Sequence, residues 1–209
     1  MRVTFKPSTN PTTIGNLVWM RIATVISFFA AAGEGAMESV IKSEPVTENG
    51  VAFVGRATEV WTVRDDQPTE IEIALLLTNN TRRPTRFWIM DRVEIGLSDA
   101  EGTAVPCDGG RNQTRPGKAI SELIDPGDTL EIAFRGKLTQ TERGKRWTLR
   151  GDDGFGGTWI FKDLRPGAYH VQLHYRNDKA GRDASEPLWI GEVATLPVVV
   201  MVGPESSSR

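Results

Sequence analysis

The chain of 209 residues holds one cysteine, two histidines and two tyrosines. A single cysteine, Cys107, cannot close an internal disulfide, nor form a cysteine-based zinc site by itself. Its setting, Ala104-Val105-Pro106-Cys107-Asp108-Gly109-Gly110, offers no base to activate a thiol, so it reads as a small side chain in a turn. The histidines, His170 and His174, stand four apart on an alternating stretch. That puts them about 13 Å apart along a strand, too far to share a metal ion through the strand alone. With so few bases and no Gly-x-Ser-x-Gly elbow, a serine or cysteine triad has little to draw on. His-Glu-x-x-His and Walker-type phosphate loops are missing too. No catalytic residue, metal site or cofactor is therefore expected. Positive charge is in no surplus: 25 Lys and Arg face 27 Asp and Glu, for a net charge of −2 and a pI near 5.8. That argues against a general nucleic-acid binder, which needs a basic face.

Helical periodicity is also missing outside the first 33 residues. Those residues contain Arg2, Lys6 and Arg21 and no acid, and an apolar run, Ile22 to Gly33, follows Arg21. A basic start, an apolar run and then small residues is the order of a secretory signal peptide, with Met20 as an alternative start. The run is shorter than the roughly 20 residues a bilayer span takes, so no stable membrane span is expected once the leader is cut. The protein is expected to be exported, to a periplasm or beyond. The remaining length, about 170 residues, can bury roughly 70% of its unfolded surface without a disulfide or metal staple.

What the chain has in quantity is period-two alternation between turn signals. Residues 34–56 read as a lead-in, with Ser39 to Lys42 and Val51 to Val54 as short edge strands. A β-sandwich domain is expected over 57–203, with a disordered tail over 204–209. Ile71, Ile73, Leu75 and Leu77 face one way between outward Glu70 and Glu72; Leu130, Ile132 and Phe134 alternate with Glu131, Ala133 and Arg135. Tyr169, Val171, Leu173 and Tyr175 alternate with His170, Gln172 and His174 after the Pro166-Gly167 turn. Trp147-Thr148-Leu149 and Trp159-Ile160-Phe161 flank a glycine-rich hairpin tip. Lys137 to Lys145 and Cys107 to Lys118 read as polar loops. Eight or nine short strands separated by turns predict an all-β antiparallel sandwich.

Leu164-x-Pro166-Gly167-x-Tyr169-x-Val171 resembles the penultimate-strand entry of immunoglobulin-like and fibronectin type III-like domains. That resemblance implies a Tyr169 hydroxyl bonded back to the turn backbone, Leu164 in the core beneath it, and Trp88 as the buried tryptophan of the sandwich. The missing cysteine pair restricts the match to the disulfide-free bacterial kind. A weaker resemblance, to bacterial proteinase-inhibitor-like β-sandwich domains, rests on Asn79 to Pro84, Pro126 to Asp128 and Pro166 to Tyr169. These motifs are turn chemistry and imply a fold, not a partner.

Two features are candidates for ligand contact. Trp147 and Trp159 flank the glycine-rich tip, where exposed aromatics would stack on sugars or anchor a protein. Asp152 and Asp153 within the tip are able to ligate calcium, although the spacing is not that of an EF-hand. Core packing for the tryptophans and a solvated hairpin tip for the aspartates are the plainer readings. The arginine-rich segments Arg82-Arg83-x-x-Arg86 and Arg143 to Arg150 read as solvated turns. The expected function is an exported, non-catalytic binding or accessory domain for a protein or cell-envelope polysaccharide. The alternatives are a proteinase-inhibitor-like module acting through loop 107–118 or 137–157, and a carbohydrate-binding module or carbohydrate-active enzyme.

Overall fold

The computed structural model describes residues 39–63, 67–89, 92–110, 120–142, 145–152, 157–178 and 187–204. The leader expected over 1–33 and the residues beyond 204 lie outside them. The described residues form fourteen strands and no helix. Turn signals alone predict eight or nine, because several strands are too short or too polar to show a pattern of their own.

The larger sheet has seven strands. Its main path runs β1 (Val40–Lys42), β3 (Val51–Thr58), β5 (Thr69–Asn79), β9 (Thr129–Glu142), β10 (Arg146–Asp152) and β11 (Thr158–Leu164), all antiparallel, with β2 (Val46–Glu48) also on β3. β3 is thus an inner strand and not the edge strand expected at Val51–Val54. β1 and β2 share one of its sides and β5 takes the other. In the smaller sheet, β7 (Val93–Asp99) covers one edge of β12 (Gly167–Asn177). β13 (Gly191–Ala194) and β14 (Val198–Pro204) divide the other edge, and β4 (Val60–Val63) runs parallel to β14. β6 (Thr85–Trp88) and β8 (Ser121–Ile124) form a separate pair. The chain passes from the larger sheet to the smaller at Glu59, between β3 and β4. There the Met201 N–H donates to the Glu59 carbonyl at 2.9 Å.

The two sheets pack face to face over inward side chains taken from alternate positions. Ile71, Ile73, Leu75 and Leu77 of β5 stand in register with Gly136, Phe134, Ile132 and Leu130 of β9. Tyr169, Val171, Leu173 and Tyr175 face them from β12. The Tyr169 hydroxyl accepts from the Arg165 N–H at 2.8 Å and donates to the Arg165 carbonyl at 3.2 Å; Leu164 is buried beneath the turn. At one end of the sandwich, Phe53, Tyr175, Trp189 and Phe87 pack with ring centroids 5.2–6.4 Å apart. Burial there pushes the Tyr175 phenol well above its ordinary value near 10, although the Arg92 charge pulls the other way.

Trp88 is not the buried tryptophan of the core. On β6, Thr85 and Phe87 face inward, so Trp88 is turned outward by one position and stays half-buried. The Arg92 guanidinium stands 5.9 Å from its ring centroid. The core tryptophans are Trp61, Trp147, Trp159 and Trp189.

Asn79 explains the Asn79–Pro84 turn. Its amide nitrogen donates to the carbonyls of Arg83 and Ile124, both at 2.9 Å, and its oxygen accepts from the N–H and hydroxyl of Thr81. A fully buried amide with every near partner met holds this corner and leaves nothing for a ligand.

Candidate functional site

The site is built on β9 and β10. Their inner sides carry Leu138, Leu149, Gly136 and Gly151, with Gly136 directly opposite Gly151. Trp159 of β11 is in register with Gly151, and its indole lies against both glycines. A methyl group at Gly151 would sit 2.1 Å from Trp159 Cζ2, and one at Gly136 would sit 2.4 Å from Cη2. Glycine is required here for close approach, not for a special backbone angle. The Trp159 Nε1–H donates to the Asp152 carbonyl at 3.3 Å.

On the outer side of the same ladder lies a depression of about 710 Å3. Thr139, Thr141, Thr148 and Thr158 line it. Arg135, Lys137 and Arg150 give it cations, and Glu70 and Asp152 give it carboxylates. The outward parity of β9, from Arg135 through Lys137 and Thr139 to Thr141, meets that of β10, from Asp152 through Arg150 to Thr148. Arg135 opposes Asp152, Lys137 opposes Arg150 and Thr139 opposes Thr148. No aromatic ring lines the groove among the described residues.

This arrangement separates the residues that the sequence singles out. Trp147 is 1% exposed and belongs to the core, so it cannot stack on a sugar. Trp159 is 7% exposed and lies behind the groove floor, on the inner side of the sheet. Both residues sit at inward positions of their strands, and that parity excludes the expected exposed aromatic pair. Asp152 does line the groove. Asp153 lies outside the described residues.

The two expected loops fare differently. Residues 137–142 and 146–152 are strand and not the loop expected over 137–157, of which 143–144 and 153–156 lie outside the described residues. Over 137–142 the outward side chains are polar and only Leu138 marks the inner side as apolar, which gives a strand the look of a loop. Cys107 to Gly110 lies along the outer edge of β11. The Asp108 N–H donates to the Ile160 carbonyl and the Thr158 N–H to the Gly110 carbonyl, both at 2.9 Å. Lys162 pairs with Asp108 at 2.9 Å. Cys107 is exposed and free; residues 111–118 lie outside the described residues.

His170 and His174 are half-buried on the outer face of the smaller sheet. His170 Nδ1 lies 3.1 Å from the Asp99 carbonyl oxygen, and His174 borders a polar hollow of about 380 Å3 with Arg92, Arg176 and Glu192. Among the described residues no three of His, Cys, Asp and Glu gather as a metal site.

No family model, no curated protein and no solved structure matches this chain. The groove itself therefore carries the functional argument.

Sequence reasoning missed Glu70, Arg135, Lys137, Arg150 and the four threonines. The signal was present as Arg135-x-Lys137-x-Thr139-x-Thr141 and Thr148-x-Arg150-x-Asp152, two polar period-two rows. Each is unremarkable alone. They become one surface only when β9 and β10 pair.

Proposed function

We propose that this protein is an exported, non-catalytic binding module of immunoglobulin-like build that holds a cell-envelope polysaccharide in the β9–β10 groove. The observation that carries the reading is the depression of about 710 Å3 on the outer face of the larger sheet. It has the size of a small-ligand site and a lining of hydroxyls and charges. The hydroxyls of Thr139 and Thr141 donate to the Thr148 and Arg146 carbonyls at 3.2 and 3.3 Å and keep their oxygens as acceptors, while Arg, Lys and Asp add directed hydrogen bonds, which suits a polymer rich in hydroxyl groups. An extended ligand fits a surface that runs across strands. The immunoglobulin-like build is supported by the Tyr169 hydroxyl at its turn and by the sheet switch at Glu59. The basic and apolar order of residues 1–33 supports export.

The test is affinity electrophoresis of the protein through gels containing polysaccharide extracted from its native envelope. Retardation is expected, and it should weaken in Asp152→Asn and Thr148→Val proteins that melt like the wild type. Equal mobility with and without the polysaccharide would sink the reading.

A further inference from the structure

We infer that the groove recognises an anionic group, a carboxylate or a phosphate borne by its ligand, between Lys137 and Arg150. This rests on the groove being the ligand site and names the chemistry that the site selects.

Lys137 and Arg150 are direct partners in the β9–β10 ladder. Side chains so placed leave the same face with Cβ atoms about 5 Å apart, and like charges in that relation oppose folding. The rest of this face avoids the situation. Arg56 lies between Glu72 at 2.6 Å and Glu131 at 2.8 Å. Arg135 has Glu72 at 3.5 Å on one side and Asp152 in register on the other. At Lys137 the only carboxylate among the described residues is Glu70, at 3.7 Å and largely exposed. Arg150 has Lys137 on one flank and Ile160 on the other, and its guanidinium meets no carboxylate among the described residues. In a chain of net charge −2, this is not a generally basic surface. It is a pair of cations in which Lys137 has one exposed carboxylate and Arg150 has none among the described residues, at a threonine-lined hollow.

A guanidinium fork beside an ammonium is the donor set that grips two oxygens of one anion. The nearest outward neighbours, Thr139 and Thr148, then lie one register step away to meet neutral hydroxyls of the same ligand. An anion arriving there removes the repulsion that the free protein carries, so binding and stability are linked at this pair.

The experiment uses the full chain with three polymers: polygalacturonate for carboxylate, polyphosphate for phosphate and dextran as the neutral control. Wild-type protein is expected to bind one or both of the anionic polymers above dextran, with affinity falling as salt rises. Polygalacturonate alone would identify a carboxylate, polyphosphate alone a phosphate, and both would show that charge geometry suffices. Lys137→Gln and Arg150→Gln should each weaken that binding about tenfold. Arg150→Glu should abolish it while raising the melting temperature by about 1–3 °C, because it turns a repulsive cross-strand pair into an attractive one. A gain in stability with loss of binding is a result that misfolding cannot produce. Binding to dextran or the native polysaccharide that ignores both glutamine variants would overturn the anion inference and leave the groove reading standing. Failure to bind any polymer, the native one included, would overturn both.

Discussion

At Gly136 and Gly151 the two sides of one ladder have opposite chemistry. The inner side is bare of side chains and covered by the Trp159 indole; the outer side carries arginine, lysine, aspartate and threonine on either flank of the same glycines. The inner side is closed by shape, since a single methyl group there has nowhere to go. The outer side is left open and unevenly charged. The aromatic residue nearest the groove in space therefore supports it from behind and does not touch what enters it. A tryptophan next to a polar tip in sequence belongs to the opposite face whenever its parity differs from that of the polar residues.

The inner side should break first and hardest. Trp159→Ala removes a buried indole between the sheets and is expected to cost about 3–5 kcal/mol, measured by urea unfolding. If the loss stayed below about 1 kcal/mol, the indole would not be the support described. Gly151→Ala should cost about 1–3 kcal/mol, because the added methyl meets both Trp159 and the Arg135 carbonyl oxygen. Its effect should shrink in a Trp159→Ala background, and a double-mutant cycle showing plain additivity would separate the two sites.

The interior also titrates. Tyr175 keeps its proton to a higher pH in the folded protein than in the unfolded chain, so its contribution is complete below pH 10 and is lost as pH climbs beyond that. Raising the pH from 9 to 11 should lower stability by about 1.4 kcal/mol through this group, and Tyr175→Phe should remove that part of the pH dependence. The outer side should respond least. Arg56→Ala breaks pairs with Glu72 and Glu131 and should cost about 1 kcal/mol, whereas Arg150→Ala should stay within about 0.5 kcal/mol of wild type or gain slightly. Equal losses at Arg56 and Arg150 would erase the distinction between compensated and uncompensated cations on this face.

Much of the architecture was legible in advance. Alternation at Ile71–Leu77, Leu130–Phe134 and Tyr169–Tyr175, with Pro-Gly turns at 126–127 and 166–167, is enough for an all-β protein of packed sheets. The rest was hidden for physical reasons. A strand whose outward residues are Lys137, Thr139 and Thr141 looks like a loop until its partner strands are known. Parity decided between Phe87 and Trp88, and hydrophobic size alone favours the wrong one. The groove depends on which residues of β9 and β10 face each other. That register is set after an irregularity between Arg146 and Trp147. Only the pairing turns Lys137 and Arg150, thirteen positions apart, into neighbours.

The sheet switch at Glu59 has a consequence for the time course of folding. It delivers Val60–Val63 to the side of Met201–Pro204, and at the other end of β3 the Asn49 amide donates to the Ile190 carbonyl across 141 positions of chain. A contact map weighted toward such distant pairs belongs to proteins that fold in milliseconds to seconds, not microseconds. The smaller sheet has no edge partner for β4 until the last strand has been synthesised. A nascent chain that stops short of Val198 must therefore wait with the Glu59 carbonyl unpaired to Met201, and the seven residues of β14 act as the clasp that ends the wait.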